Sequence, residues 1–371
     1  MKSINKELSI HGGPILMSGP CSAETEEQLI TTCQQLAATQ KVDVLRAGIW
    51  KPRTKPGSFE GVGAEGLKWL AEAKKETGLK TAVEVANVKH VYSALKHNVD
   101  VLWLGARTTV NPFAVQEIAD ALEGVDTIVL LKNPINPDLA LWEGGIERIL
   151  KAGITKVGAI HRGFSKYGAS NFRNPPQWQI PIELKQRHPE LTMICDPSHI
   201  CGKRDNLLEI AQEAIDLNFD GLMLESHIRP DKAWSDSSQQ ITPGELKELI
   251  KKIEIREAKI PKNKKDAELD ILRQNINILD SELIDVLAKR MEITDDIGVY
   301  KKKNKLKILQ SSRWEEVMNK SITEGQTKGL TKEFIVKVLS DIHLESINRQ
   351  NNIMNSNHWL DKVLAKKSRL I

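Results

Sequence analysis

The sequence predicts a closed (β/α)8 barrel followed by an all-α domain. Three observations predict this fold class. Short apolar runs alternate with amphipathic segments through residues 14–255, charged or metal-binding side chains follow each run, and beyond residue 266 only helical periodicity remains. Eight such units in about 240 residues fit a closed parallel barrel. An open doubly wound sheet is the alternative, but no glycine-rich dinucleotide fingerprint follows the first run.

The apolar runs are short and often β-branched, which favours strands. The predicted strands are 15–17, 42–45, 81–85, 99–104, 127–131, 156–160, 191–195 and 221–224. Segments between them have apolar residues at helical spacing. The predicted helices include 26–39, 64–77, 112–122, 139–151, 182–187 and 206–217.

The chain changes character after the barrel pattern. Residues 256–265 are polar and contain a proline, which predicts a linker between a barrel domain at 1–255 and a helical domain at 266–355. Alternating spacings of three and four predict one long amphipathic helix to about Lys303. Its apolar positions are Leu269, Leu272, Ile276, Leu279, Leu283 and Val286. Shorter helices are predicted at 312–324 and 331–354, and a basic helical tail at 356–371.

Composition places the chain among ordinary soluble globular proteins, with 40% apolar and 27% charged residues. The net charge of +4 is spread along the chain, so no nucleic-acid partner is expected. No apolar run approaches the roughly 20 residues that span a bilayer, and the N-terminus lacks a signal-peptide core. Four cysteines form no disulfide framework. We expect a cytoplasmic protein with reduced thiols and no membrane partner.

The ends of the predicted strands carry the chemistry, because barrel active sites form at the carboxyl ends of the strands. The segments that follow the eight runs include Ser18-Gly-Pro-Cys21, Arg46 to Thr54, Glu84, Gly105-Ala-Arg107, Lys132, His161-Arg162, Asp196-Pro-Ser-His199 and Glu225-Ser-His227. After the second run, three cations fall within eight residues of a loop that contains Gly48 and Pro52. Such a loop suits a small polyanion.

Three of these residues and one from the loop after the eighth run make a plausible site for a divalent metal ion: Cys21, His199, Glu225 and Asp236. One thiolate, one imidazole and two carboxylates form a borderline-soft set that suits Mn, Fe, Co or Zn. We take Mn²⁺ as the first choice. His227 and Asp231 are the nearest competing ligands.

Five cations follow four of the predicted strands, namely Arg46, Lys51, Arg107, Lys132 and Arg162. Like charges at one rim repel unless an anionic ligand offsets them. A phosphate together with a carboxylate has the charge that this rim requires.

The motifs of residues 14–245 resemble 3-deoxy-D-arabino-heptulosonate 7-phosphate (DAHP) synthase, the first enzyme of the shikimate pathway to aromatic amino acids. The motifs are Ser18-Gly-Pro-Cys21-Ser, Lys51-Pro-Arg-Thr54, Gly105-Ala-Arg107, His161-Arg162-Gly, Asp196-Pro-Ser-His199 and Leu224-Glu-Ser-His227. They are similar to the smaller-core type I branch. The related octulosonate 8-phosphate synthase shares the barrel and is the alternative, but it has a different loop in place of Lys-Pro-Arg-Thr.

This resemblance implies roles for individual residues. The metal ligands are those given above. The phosphoenolpyruvate-binding residues are Arg46, Lys51, Arg107, Lys132 and Arg162. The residues that bind erythrose 4-phosphate are Arg53, Thr54 and Asp196. Lys51 and Glu84 are the candidates for proton transfer.

The second domain resembles the all-helical chorismate mutases. The resemblance lies in Leu272-Arg273, Ile278-Leu-Asp280, Leu287-Ala-Lys-Arg290, Lys301, Arg313, Ser346 and Gln350. It implies binding of chorismate and prephenate by Arg273, Arg290, Lys301, Gln310, Arg313, Ser346 and Gln350, with Arg290 and Lys301 catalytic. Trp314 stands where the family usually has an acid, and Gln310 where Asp is frequent. The alternative is a helical domain that serves only dimerisation or regulation.

Helical geometry predicts that the second site needs two copies of the chain. Arg290 and Lys301 are 11 residues apart, about three turns, and share a face. Arg273 lies 17 residues before Arg290, roughly 25 Å away along a straight helix. One small dianion cannot touch both within one helix, so an antiparallel homodimer is expected.

Regulation is expected to come through the helical domain or the barrel loops. Some barrels of the resembling family carry an extra N-terminal regulatory domain, but only about 13 residues precede the first predicted strand here. The cationic pocket of the helical domain suits prephenate. We therefore expect prephenate, more than phenylalanine or tyrosine, to inhibit the barrel.

Overall fold

A computed structural model describes residues 3–52, 57–168, 170–257 and 267–355. The chain divides into two compact units, Met1–Ala258 and Lys259–Ile371. Arg53, Thr54, most of the predicted linker and the predicted tail at 356–371 lie outside the described residues. No helix in the described ranges is long and apolar enough to cross a membrane.

The first unit is built on eight strands: β1 Ile15–Gly19, β2 Val44–Ala47, β3 Lys80–Val85, β4 Val101–Leu104, β5 Ile128–Lys132, β6 Val157–His161, β7 Thr192–Cys195 and β8 Gly221–Glu225. Each strand pairs in parallel with its neighbour in sequence. Strand β8 pairs with β1, which closes the barrel. The predicted barrel is therefore confirmed.

Helices surround the barrel and connect its strands. They are α1 Asn5–Leu8, α2 Glu26–Ala38, α3 Ala64–Thr77, α4 Val88–Lys96, α5 Ala106–Thr109, α6 Pro112–Ala121, α7 Leu139–Lys151, α8 Gln179–Arg187, α9 Pro197–Cys201, α10 Leu207–Asp216 and α11 Pro243–Lys251. Side-chain caps fix where several begin. Thr25 accepts from the Gln28 backbone before α2, and Thr242 forms a capping box with Glu245 before α11.

The barrel core has two layers, one inside the strands and one between the strands and the helices. Trp103 is among the largest side chains of the inner layer. Helix α1, which the periodicity did not predict, adds Ile4 and Leu8 to that layer. Asn5 Nδ2 donates to Asp220 Oδ1 at 2.7 Å, just before β8 begins. Helix α1 therefore closes the amino-terminal end of the barrel, opposite the predicted site.

The second unit contains three helices in its described part, α12 Ala267–Lys303, α13 Ser311–Thr327 and α14 Lys332–Asn355. The predicted long helix to Lys303 is confirmed. Helix α14 packs against both α12 and α13. Arg349 on α14 pairs with Asp295 on α12. Gly325 permits close approach of α13 and α14, because an added Cβ would lie 2.4 Å from Ile335 Cδ1.

Candidate active site

A cavity of about 400 Å³ opens at the carboxyl ends of the strands. Seven of the residues predicted for the site line it: Lys51, Glu84, Arg107, Lys132, Arg162, His199 and Asp236. They come from seven different strand–loop units of the barrel. The fold therefore brings together side chains that are as much as 185 positions apart in the sequence, Lys51 and Asp236.

The four predicted metal ligands lie together beside this cavity. Ligand atoms of Cys21, Glu225 and Asp236 are all within 4.8 Å of one another, and Cys21 Sγ is 3.4 Å from Asp236 Oδ2. His199 Nε2 is 3.8 Å from Glu225 Oε1, while its Nδ1 is 2.8 Å from Asp196 Oδ2. These donors fit a divalent transition-metal ion, with the second imidazole nitrogen oriented by a carboxylate.

The two competing ligands are engaged elsewhere. His227 Nε2 lies 3.3 Å from Glu24 Oε2, and Asp231 Oδ1 accepts from Arg204 at 2.6 Å. The geometry therefore favours the set of four over any set that includes His227 or Asp231.

Burial and neighbouring charges set the ionisation of this cluster. Burial raises the pKa of the Cys21 thiol to about 12, and the Glu225 charge adds to the effect. Burial also opposes the ionisation of Glu225, but His199 and Arg46 outweigh it and hold the pKa of that carboxyl below its ordinary value. Burial likewise opposes the ionisation of Asp236, but Arg173, His199 and Lys51 together outweigh it and lower the pKa of that carboxyl. The cluster thus holds the buried carboxylate of Glu225 and the partly buried carboxylate of Asp236, both of which can ligate a cation.

Two of the predicted cations contact the cluster directly. Arg46 is 1% exposed, and its Nη1 is 2.9 Å from Glu225 Oε1 and 3.0 Å from the Pro20 carbonyl. Among the described residues, the cavity wall does not include Arg46, so its contact with phosphoenolpyruvate stays a prediction. Lys51 Nζ lies 3.0 Å from both the Sγ and the carbonyl oxygen of Cys21. Lys51 also lines the cavity.

The remaining predicted cations form one wall of the cavity. Lys132 Nζ lies 2.8 Å from Asp196 Oδ2. Burial lowers the pKa of Arg162 to about 10, and repulsion by Arg173 and Arg107 lowers it further, while attraction by Asp196 partly offsets both effects. Three cationic side chains therefore converge on this part of the cavity, as a site for an anion requires.

Asp196 supports this wall from behind. It is fully buried and accepts from the His199 backbone at 3.1 Å as the N-cap of α9. Asp196 Oδ2 lies 2.8 Å from both Lys132 Nζ and His199 Nδ1. Contact of Asp196 with erythrose 4-phosphate stays a prediction, as do the roles of Arg53 and Thr54.

Glu84 lines the cavity, and the residue packed against its carboxylate is Gly105, on the next strand–loop unit. Glu84 Oε2 accepts from Trp103 Nε1 at 3.1 Å. A Cβ added at Gly105 would lie 2.0 Å from Glu84 Oε1. The glycine in the Gly105-Ala-Arg107 motif thus leaves room for a carboxylate as well as starting the segment that carries Arg107.

The residues of the site that the sequence does not predict include Arg173, Asn174 and Gln239. Arg173 and Asn174 line the cavity, and Asn174 Nδ2 donates to the His199 carbonyl at 2.7 Å. Gln239 Nε2 donates to Glu225 Oε2 at 2.7 Å. All three lie in loops well beyond the strand ends, where strand periodicity carries no signal. The available signal was their polarity within loops at the carboxyl end of the barrel.

In the helical unit, the predicted residues divide into a buried group and an exposed group. Arg290 Nη1 donates to Ser346 Oγ at 2.8 Å, and Lys301 Nζ donates to the Ile308 carbonyl at 2.6 Å. Lys301, Ser346 and Gln350 are buried. These four residues join α12 to α14 and to the segment before α13.

The exposed group consists of Arg273, Arg313 and Gln310. Arg273 pairs with Asp270 at 3.4 Å and Arg313 with Glu316 at 2.8 Å, each on its own helix. Gln310 is the residue before α13. Trp314 stands where the chorismate mutases usually have an acid. Its ring stacks on His343, with the ring centroids 3.9 Å apart.

The fold and the site together define an α/β-barrel enzyme joined to an all-α domain. The chain belongs to the DAHP synthetase I family, whose sequence model matches residues 6–259. Residues 272–351 match the chorismate mutase type II family. Both resemblances, and the prediction of an enzyme with these two catalytic domains, are confirmed.

Individual relatives agree with this assignment. The phospho-2-dehydro-3-deoxyheptonate aldolase of Thermotoga maritima is 31% identical over 238 residues, which are 64% of this chain and 68% of that protein. The 2-dehydro-3-deoxyphosphooctonate aldolase of Geobacter metallireducens is 25% identical over 66% of this chain and 92% of its own length. The crystal structure of a DAHP synthase from Thermotoga maritima superposes with a TM-score of 0.59 at 29% identity, covering 65% of this chain and 68% of that one.

Proposed function

We propose that the barrel condenses phosphoenolpyruvate, erythrose 4-phosphate and water to DAHP and phosphate in a metal-dependent reaction of the shikimate pathway. We propose further that the helical unit rearranges chorismate to prephenate, and that the protein acts in the cytoplasm. One observation carries the first proposal. The cationic side chains of Arg107, Lys132 and Arg162 line the same cavity as His199 and Asp236 of the proposed metal cluster.

In the barrel, Cys21, His199, Glu225 and Asp236 would hold the divalent ion, with Mn²⁺ as the first choice. That ion supplies Lewis-acid polarisation of the aldehyde of erythrose 4-phosphate when bound. The wall of Arg107, Lys132 and Arg162 binds the phosphate and carboxylate of phosphoenolpyruvate. This placement orients C3 of phosphoenolpyruvate toward the aldehyde carbon, so that the new carbon–carbon bond forms there.

Two residues are placed to move protons. Lys51 is an ammonium at the cavity wall: the charge of the Cys21 thiolate, once that group ionises, and the charge of Glu225 outweigh burial and hold the pKa of Lys51 above its ordinary value. It can therefore donate to the oxygen of the former aldehyde. Glu84 offers a carboxylate that can accept a proton from the water that adds at C2. Loss of phosphate from the resulting C2 adduct then gives DAHP.

In the helical unit, Arg290 and the Arg273 of a second copy bind the two carboxylates of chorismate. Lys301 stabilises negative charge on the ether oxygen as the carbon–oxygen bond breaks, which is electrostatic preorganisation without a covalent intermediate. Ser346 and Gln350 add neutral hydrogen bonds, with Ser346 already orienting Arg290.

Two features of α12 support a homodimer. Arg273 and Arg290 lie on one continuous helix, so roughly 25 Å separates them within a chain. The apolar stripe of α12 is also exposed within one chain. Its members Leu272, Ile276, Leu279, Leu283 and Val286 are 54–59% exposed. An apolar stripe of this length is typical of a surface that another helix covers.

Both activities can be tested on one purified sample of the full chain, with and without a chelator. DAHP formation is expected to disappear with chelator and to return with Mn²⁺, whereas prephenate formation is expected to be unaffected. Erythrose 4-phosphate and arabinose 5-phosphate should be compared as substrates. Preference for arabinose 5-phosphate would favour an octulosonate synthase, and absence of chorismate turnover would leave the helical unit a dimerisation or regulatory role.

A further inference from the structure

The two carboxylates of the proposed metal site are linked by a hydrogen-bonded bridge of two further residues. Gln239 Nε2 donates to Glu225 Oε2 at 2.7 Å, and Gln239 Oε1 accepts from Arg173 Nη1 at 2.9 Å. The same Arg173 Nη1 lies 3.1 Å from Asp236 Oδ1. A continuous path thus runs from Glu225 through Gln239 and Arg173 to Asp236.

This path fixes the side-chain amide of Gln239 in one orientation. A carboxylate can only accept and a guanidinium can only donate, so a flipped amide would lose both contacts. Gln239 and Glu225 are both 0% exposed, so neither lost contact would be replaced by bulk water. Glu225 Oε1 accepts from Arg46 Nη1 at 2.9 Å, so each carboxylate oxygen of Glu225 accepts a hydrogen bond from a side chain.

Arg173 is itself held in place by the helix that carries His199. Its backbone nitrogen donates to the Cys201 carbonyl at 3.3 Å. A Cβ added at Gly202 would lie only 2.5 Å from Arg173 Cβ, so the arginine stem packs directly on the glycine that ends α9. Arg173 therefore joins the loop after β6, helix α9 and the loop after β8.

Asp236 needs such support because of its backbone. Its φ of 46° lies in the left-handed region, which residues other than glycine rarely adopt. Among its described contacts, Asp236 Oδ2 lies beside Cys21 Sγ and Oδ1 beside Arg173. Without the guanidinium, the carboxylate would be free to turn away from Cys21.

We propose that Arg173 and Gln239 are positioning residues of the metal site, which hold Asp236 and Glu225 in the arrangement that a divalent ion requires. The inference rests on the proposed metal dependence of the barrel. Residues that hydrogen-bond to metal ligands orient the ligand oxygens before the ion binds. Their loss therefore lowers metal affinity, typically by about 10–100-fold.

The test is titration of metal-free full-length protein with Mn²⁺, followed by competition with a chelating dye. Arg173→Gln and Gln239→Leu are each expected to raise the Kd about 10–100-fold. The double variant should lose less than the product of the two single effects, because the residues share one hydrogen bond. Arg173→Lys, which keeps the charge, should recover part of the affinity.

Arg204→Gln is the matched control. Arg204 also ties down the loop after β8, through the Ser237 and Gln240 carbonyls, but touches none of the four proposed ligands. It should lower the melting temperature while leaving the Kd for Mn²⁺ unchanged. Wild-type affinity in both Arg173→Gln and Gln239→Leu would overturn the inference. Failure of the wild-type protein to bind Mn²⁺ or Co²⁺ would instead defeat the proposed metal dependence, and the inference with it.

Discussion

Lys51 Nζ lies 3.0 Å from Cys21 Sγ, although the two residues follow different strands of the barrel. The contact places an ammonium beside the one sulfur of the proposed metal site. It links the loop that we propose binds anions to the cluster that would bind the cation, so the two halves of the proposed reaction meet at this pair.

Cys21→Ala is expected to lower DAHP synthesis by at least about 100-fold and to leave prephenate formation unchanged. The thiolate supplies one of the proposed metal ligands, and Lewis-acid polarisation contributes several kcal/mol to the barrier reduction. The measurement is a pair of steady-state assays on the same preparation, with bound Mn²⁺ determined in parallel. Cys33→Ala, at a buried cysteine of α2, is the control and should retain both activities. Normal DAHP synthesis by Cys21→Ala would refute the ligand assignment.

Arg290→Ala and Arg273→Ala are each expected to lower chorismate turnover by about 10²–10³-fold, because each removes a charge that binds the dianion. A mixture of the two variants should regain part of the wild-type activity, since a mixed dimer contains one intact pocket. Lys289→Ala, at the exposed neighbour of Arg290, should keep full activity. A mixture that stays inactive after demonstrated subunit exchange would exclude a pocket shared between two copies.

The strand ends could be predicted from the sequence because each one follows an apolar run that the barrel must bury. Cys21, His199 and Glu225 were found in this way, and the structure brings them together. The partners of these residues could not be found. The sequence predicts Arg46 as a rim cation, but its pairing with Glu225 joins residues 179 positions apart through the closure of the barrel. No local pattern encodes such a contact.

Gly105→Ala is expected to lower the kcat of DAHP synthesis about tenfold or more with little loss of stability. The added Cβ would meet the flexible end of Glu84, which can move away from the cavity instead of straining the backbone. Displacement of a reacting group by about 1 Å costs as much as 10²-fold in rate. The measurements are kcat and urea unfolding. Gly144→Ala, at an α7 glycine with open space around it, is the control. Equal kcat values for Gly105→Ala and wild type would show that Glu84 has no role in the reaction.

The barrel is expected to lose stability in mild acid because of His161. This ring is buried against Trp178 and Phe164, and burial lowers its pKa from 6.5 to about 3. The unfolded chain takes up the proton near pH 6.5 and the folded chain does not, so stability is complete above that pH and falls as the pH drops toward 3. The loss should be about 2 kcal/mol between pH 7.5 and 5.

Urea unfolding of metal-free protein at both pH values, followed by tryptophan fluorescence, measures this loss. In His161→Phe, the loss of stability between pH 7.5 and 5 should be smaller by about 2 kcal/mol, because the ring that remains in the aromatic cluster does not titrate. His11→Phe, at an exposed position, should leave it unchanged. Identical pH dependence in wild type and His161→Phe would contradict the assignment.

Prephenate is expected to inhibit DAHP synthesis by the full-length chain. The cations Arg290 and Lys301, which we propose bind the transition state, would also bind this dianionic product. A ligand at one site changes another site only through a coupling free energy. Arg290→Ala should therefore lose the inhibition, whereas Lys289→Ala should keep it. Coupling between two sites is reciprocal. Phosphoenolpyruvate with Mn²⁺ should therefore weaken prephenate binding by the same factor by which prephenate weakens the binding of phosphoenolpyruvate with Mn²⁺, typically about 5–150-fold. Inhibition that persists in an Arg290→Ala variant without measurable prephenate binding would place the regulatory site outside the helical unit.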